Sequence, residues 1–184
     1  MEIRTFDIAG PVLIVPKKHM DGRGYFAEIF RKEVLHSWIG EVEFVQENQS
    51  RSSRPGTVRG LHFQVAPSAQ AKLVRVARGA IFDVAVDLRK SSPSYGRHIS
   101  AKLSVENLAG LYIPVGFAHG FCTLEPETEV IYKVSSYYDP SAEKGLLWND
   151  PALKIAWPVE SSAVTVSDRD RAYPFLSELG AWFT

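Results

Sequence analysis

The sequence is that of an all-β protein, an antiparallel sandwich or barrel with a few short helices. Three observations carry this expectation. Apolar and polar residues alternate with period two over many short runs. Turn-forming glycine, proline, asparagine and aspartate separate those runs. Helical periodicity is confined to two short places. Val12–Val15 opens the series as an apolar strand, and Arg31–Ile39 follows as a short helix. Gly60-Leu61-His62-Phe63-Gln64 places His62 and Gln64 on one face of a strand, because successive side chains point to opposite faces. Lys72–Val76 and Ile81–Leu88 flank the Arg78-Gly79 turn. Ser92-Pro93-Ser94 precedes His98–Val105, and Glu106-Asn107 precedes Gly110–Ile113. Phe121–Thr123 and Glu129–Val134 complete the strands. Asp139-Pro140 and Asn149-Asp150-Pro151 then break the chain, and Asp168–Leu179 forms one or two helical turns.

The 184 residues are expected to form a single domain, 1–184, since domains run to roughly 100–200 residues. At that length a chain buries around 70% of its unfolded surface and needs no covalent staple. A hydrophobic share of 45% beside 23% charged residues is globular composition and excludes a disordered chain. Lys plus Arg equals Asp plus Glu at 21 each, so charge supplies no attraction to nucleic acid or to an anionic membrane. The single cysteine, Cys122, excludes an internal disulfide and a multi-thiolate zinc site, and it fits a reducing cytoplasm. The charged start Met-Glu-Ile-Arg-Thr-Phe-Asp lacks the apolar run of a secretory signal. Asn107–Leu124 is 18 residues without Asp, Glu, Lys or Arg, but Pro114, three glycines and His119 interrupt it. It is expected to be buried strands around a turn rather than a membrane span.

Two motifs bear on chemistry. Pro114-Val115-Gly116-Phe117-Ala118-His119-Gly120 has the P-x-G-x-x-H spacing of the second cupin motif, about 50 residues after the His62 strand. The pair resembles a cupin jelly roll, a fold that often holds a metal through two histidines, a glutamate and a third histidine. Here Gln64 stands at the second histidine, and no glutamate lies between it and Lys72. No metal site is therefore expected. Taken singly, each remaining group has an ordinary explanation: His62 a satisfied core histidine, Lys72 an edge-strand surface lysine, Tyr132 a packed strand tyrosine. Together a histidine, a lysine, a tyrosine and a carboxylate near Asp170 make a proton-transfer set. Spacing alone does not bring them together.

The whole chain resembles the dTDP-4-dehydrorhamnose 3,5-epimerase family. The resemblance runs through Asp21–Glu28, Gln46–Ser50, Gly56–Gln64, Gln70–Val76, Phe82–Arg89, Ile113–Phe121, Tyr132-Lys133 and Gly145–Pro151, in that order. It implies cofactor-independent epimerisation at C3 and C5 of dTDP-4-dehydro-6-deoxy-D-glucose, in dTDP-L-rhamnose biosynthesis. His62 is then the base, Asp170 its partner, Lys72 the cation at the enolate oxygen and Tyr132 the acid. Asp168 competes with Asp170 two residues away, and the family pattern aligns Asp170. The resemblance further implies substrate binding by Arg23, Glu28, Gln46, Asn48, Arg59, His119 and Tyr138, with Tyr137 adjacent to the last. It implies a homodimer, in which the N-terminal strands Ile3–Ile8 and Val12–Val15 are exchanged and the neighbour's residues reach the nucleotide. Two departures stand out: His19-Met20 replaces an aromatic position before the Asp-x-Arg-Gly block, and Lys144 and Leu147 depart from a small-then-basic pattern. The alternatives are an epimerase acting at C3 only or C5 only, a catalytically silent nucleotide-sugar-binding cupin, and a metal-dependent dioxygenase, which the ligand set disfavours.

Overall fold

Two antiparallel sheets lie face to face in the computed structural model, which describes residues 1–184. The first holds six strands in the order β1 (Glu2–Thr5), β2 (Val12–Val15), β10 (Gly110–Ile113), β7 (Lys72–Arg78), β12 (Thr128–Val134) and β5 (Gln46–Ser52). The second holds five: β13 (Glu143–Gly145), β6 (Val58–Gln64), β11 (Phe117–Thr123), β8 (Ala80–Asp87) and β9 (His98–Ser104). A separate hairpin pairs β3 (Lys18–Asp21) with β4 (Gly24–Ala27). This is the jelly-roll, cupin-like architecture that the alternation and the two motifs imply. No helix is long and apolar enough to cross a membrane.

The space between the sheets is filled by Val74, Val76 and Val130 from the first sheet and Ile81, Ala85, Leu103 and Phe121 from the second. Each fully buried aliphatic side chain of this kind contributes about 1.5–3 kcal/mol relative to exposure. The outer face of the six-stranded sheet is covered by α1 (Lys32–Ile39), whose Leu35 packs with Val12, Ile14, Leu73 and Tyr112. Over the outer face of the five-stranded sheet the C-terminal segment lays Leu146, Leu153, Trp157, Leu176 and Phe183 against Leu61, Phe63, Val84 and Val86. That segment includes one short helix, α2 (Asp168–Arg171), and a single 3₁₀ turn at Leu176–Glu178. The helical turns expected over Asp168–Leu179 are thus two separate pieces.

Several expectations are revised. β11 begins at Phe117, not Phe121, so His119 sits in mid-strand opposite His62 rather than ahead of the strand. Only Pro114–Gly116 turns, with Gly116 at φ +96° beside the Arg89 side chain. The strands β1, β3, β4, β5 and β13 carry no strong apolar alternation. β1 and β2 pair with each other in the chain's own sheet, with β1 at its edge.

One close approach positions the site. Gly60 and Gly120 face each other where the β6–β11 register shifts, and a Cβ on Gly60 would lie 2.6 Å from the Gly120 Cα. Gly60 also has φ +125°, which a side chain would strain. The shift turns the Gly60 N–H away from the ladder, toward Asp170.

Candidate active site

At one end of the sandwich the apolar filling gives way to a cavity of about 520 Å³, lined by Arg59, His62, Lys72, His119, Tyr132 and Asp170 among others. A second hollow of about 340 Å³ is lined by Gln46, Asn48, Tyr138 and Glu143 and shares His62, Lys72 and Tyr132 with the first. The two hollows therefore form one trough that meets at those three side chains. Nine of the eleven residues expected from the sequence line it.

His62 projects from β6. Its Nε2 lies 2.8 Å from Asp170 Oδ1, and the other Asp170 oxygen accepts the Gly60 N–H at 3.0 Å. Burial raises the Asp170 pKa, but the hydrogen bond and charge of His62, then Gly60 and Ser167, outweigh it and hold the carboxyl below its ordinary value. An ionised carboxylate only accepts, so His62 Nε2 donates in this bond, and Nδ1 is the ring nitrogen that Asp170 leaves unengaged. The Tyr173 ring packs T-shaped against the imidazole, 5.7 Å away between centroids. Asp170 arrives through local structure. A parallel bridge joins Thr165 to Thr57, Ser167 caps α2 by accepting from the Asp170 N–H, and the carboxylate turns inward. Asp168, on the same short helix, is exposed, and this decides between the two aspartates.

Lys72 begins β7 and is buried, with Nζ donating to the His62 carbonyl at 3.2 Å. Burial pushes its pKa down to about 8, opposed by Asp83 and then Glu143, so the ammonium persists at neutral pH. Tyr132 stands on β12, in the sheet facing His62, opposite Asn48 and Val74. Burial raises its phenol pKa, against a smaller opposing effect of Arg59, so it holds its proton. His119 donates from Nε2 to Asp83. Its burial dominates and lowers its pKa, which leaves it a neutral imidazole.

The rim is polar. Arg59 is held by Ser52 Oγ and the Arg51 carbonyl, both at 3.1 Å. Gln46 donates to Asn48 at 2.8 Å and accepts the Tyr138 N–H at 3.0 Å. Tyr138 Oη donates to Glu143 at 2.6 Å, and Arg169 pairs with the same carboxylate at 2.5 Å. Tyr137 points to solvent while its carbonyl accepts from Gln64, so Tyr138 is the tyrosine in the trough. Gln64 braces the 137–139 loop, donating to the Tyr137 carbonyl and accepting the Asp139 N–H. No group of three or more His, Cys, Asp or Glu side chains is gathered where a metal would need them.

Arg23 and Glu28 are not brought to the trough. Arg23 pairs with Asp21 at 2.6 Å and Glu28 with Arg31 at 2.7 Å, all exposed around the β3–β4 hairpin. His19 and Met20 lie in the same hairpin, also exposed. Asp83, Glu143 and Arg169 were not singled out from the sequence. Only Asp83 carries a signal there, as an acid inside the apolar run Ile81–Val86.

Fold and site together define a cupin-like jelly roll whose cavity gathers a histidine–aspartate pair, a buried lysine and, from the facing sheet, a tyrosine. The sequence profile of the dTDP-4-dehydrorhamnose 3,5-epimerase family matches residues 5–178. A dTDP-4-dehydrorhamnose 3,5-epimerase of Sinorhizobium fredii is 49% identical over 183 residues, covering 100% of this chain and 93% of that protein. The crystal structure of a dTDP-4-dehydrorhamnose 3,5-epimerase from Bacillus anthracis, with TDP and pyrophosphate bound, superposes with TM-score 0.90 at 46% identity, covering 95% of this chain and 98% of that one. That of a dTDP-6-deoxy-D-glucose-3,5-epimerase from Legionella pneumophila, in complex with dTDP-4-keto-L-rhamnose, gives TM-score 0.91 at 40% identity, covering 98% and 95%. The chain belongs to the dTDP-4-dehydrorhamnose 3,5-epimerase family, and it is an isomerase.

Proposed function

We propose that this chain converts dTDP-4-dehydro-6-deoxy-D-glucose to dTDP-4-dehydro-L-rhamnose by inverting C3 and C5 in turn, using His62, Lys72, Tyr132 and Asp170. The observation that carries the reading is the placement of His62 and Tyr132 on opposite sheets across one cavity. A sugar carbon between them has a proton acceptor on one face and a proton donor on the other. The C4 ketone makes the neighbouring C–H bonds acidic. His62 Nδ1 takes the proton, and the C–H electron pair moves to the C4 oxygen as an enolate. Lys72 supplies positive charge where that oxygen becomes anionic. Asp170 stabilises the imidazolium through Nε2. Tyr132 Oη–H returns a proton to the same carbon from the far side, the enolate collapses to the ketone with inverted configuration, and solvent exchange resets both groups. The steps call on no cofactor.

Arg59, His119, Gln46, Asn48 and Tyr138 are assigned to the nucleotide sugar, with Arg59 suited to the diphosphate by its forked donors. Glu143 and Arg169 border the same trough and join them. Arg23 and Glu28 are assigned to the trough of a partner subunit. Met20 and Phe26 are each 71% exposed on the hairpin that carries them, an apolar surface that suits a second copy of the chain. We place the homodimer in the cytoplasm, where the free Cys122 thiol is stable. Light scattering on the purified protein tests the dimer, and a monomer mass would overturn it.

Proton NMR of the substrate incubated with the protein in deuterated water tests the reaction. Exchange at both C3 and C5, with the product reducible to dTDP-L-rhamnose, is the expected result. Exchange at one carbon would narrow the activity to a mono-epimerase. Binding without exchange would leave a nucleotide-sugar receptor.

A further inference from the structure

The inward side chains of β8 run Ile81, Asp83, Ala85, and the first and last belong to the apolar filling. Asp83 is 0% exposed. One of its oxygens accepts from His119, while the other, Oδ2, is buried with no hydrogen-bond partner. A half-satisfied carboxylate in mid-strand works against folding, and an apolar residue of similar volume would pack there without that penalty. Fold stability therefore gives no reason for its presence.

The surroundings supply one. Lys72 is buried in the cavity that Asp83's partner His119 also lines, and makes a single hydrogen bond, to the His62 carbonyl. The charged and titratable groups that line the cavity with it are His62 and Arg59 from β6, His119 from β11, Tyr132 from β12 and Asp170 and Arg169 from α2; Glu143 from β13 borders the adjoining hollow, and Asp83 from β8, behind His119, acts on it through charge. Of these, Asp83 and then Glu143 are the carboxylates that hold the lysine's proton in place against burial. Glu143 is already engaged by Tyr138 and Arg169, whereas Asp83 has an oxygen to spare.

We propose that Asp83 is a positioning residue, the buried counter-charge that keeps Lys72 an ammonium and fixes His119 as the Nε2–H tautomer. Its action is through those two side chains. Lys72 then meets the enolate oxygen as a full cation, and His119 presents Nδ1 as an acceptor for a sugar hydroxyl. This inference rests on the assignment of Lys72 as the cation at that oxygen.

Asp83→Asn keeps the shape and an acceptor for His119 but removes the charge. The pH profile of kcat is the readout. The basic limb, set by loss of the Lys72 proton, moves to lower pH by about one unit, a roughly tenfold deeper loss at pH 9 than at pH 6.5. KM stays within about twofold. A merely structural Asp83 would lower kcat equally at every pH, and an unmoved basic limb would overturn the proposal. The Lys72 ammonium can also be titrated directly by NMR on lysine-labelled protein, with Lys72→Arg to assign the signal. Its midpoint falls in Asp83→Asn whether or not substrate turns over. An inactive wild type whose Lys72 midpoint still falls in the variant would thus sink the reaction and spare this pairing; an active one with an unchanged midpoint would do the reverse. Should Asp83→Asn alone not fold, Lys72→Met supplies the background. Adding Asp83→Asn to it removes an uncompensated carboxylate and raises the melting temperature; a fall would overturn the pairing.

Discussion

Two histidine–aspartate pairs face each other across the β6–β11 ladder, and they are built differently. His62–Asp170 joins positions 108 residues apart; its imidazole side chain is 32% exposed and its carboxylate has every oxygen engaged. In His119–Asp83 both side chains are sealed, at 7% and 0%, and one carboxylate oxygen is left over. An imidazole that must gain and lose protons needs access to substrate and a partner that stabilises its charged form. An imidazole that must only orient needs burial, which keeps it neutral. The same residue types on adjacent strands thus stand in two environments, one suited to carrying a proton and the other to holding a fixed orientation.

Substitutions separate the two pairs. His62→Ala has the largest expected effect: deuterium exchange at C3 and C5 falls by about 10³-fold, since a positioned base supplies roughly 10²–10⁴. Normal turnover in that variant would overturn the mechanism. The buried cation between the pairs has a pH signature. The folded pKa of Lys72, about 8, lies below its unfolded value of 10.5. The folded state therefore holds fewer protons between those values, and stability gains as pH rises from 8 to 10.5. Over that window the gain from this group approaches about 3 kcal/mol, and Lys72→Met abolishes it in denaturant melts across pH. Tyr132→Phe spares proton removal more than inversion, so exchange persists while epimer formation falls by about 10²-fold.

Smaller effects follow from the glycine contact and the sealed pair. Gly60→Ala forces a Cβ toward Gly120 at a positive φ and should cost about 1–3 kcal/mol in equilibrium unfolding. It also loosens the N–H contact to Asp170, so activity falls with stability. His119→Asn, by contrast, is expected to raise KM and leave kcat within about tenfold of wild type, because the proposed reaction moves no proton through His119. A loss of kcat as large as that of His62→Ala would erase the difference between the two pairs.

How legible these features were depended on what each element buries. The strands that fill the sandwich, such as β7, β8 and β12, alternate apolar residues and were visible within a residue or two. β5, Gln46–Ser52, was not. Its burial alternates as regularly as any strand's, but its inward side chains are Gln46, Asn48 and Ser50, which meet a wet cavity rather than a core. Hydrophobic periodicity is blind to a strand whose inner face is polar. Glu143 escaped for a related reason: β13 is three residues long and shows no period.

The apolar alternation and turn punctuation were enough for an all-β sandwich, because burial of one face per strand is a local property. The ordered family motifs sufficed for the epimerase class, and they pointed to His62, Lys72 and Tyr132, which the fold brings to one cavity. Which aspartate pairs with His62, the placement of His119 in mid-strand opposite it, and the distance of Arg23 and Glu28 from the trough were decided in three dimensions. So was the role inferred for Asp83. Each depends on which strands pair, in what register, and what then remains buried without a partner. Those are contacts between positions far apart in the chain, and no local pattern of residues encodes them.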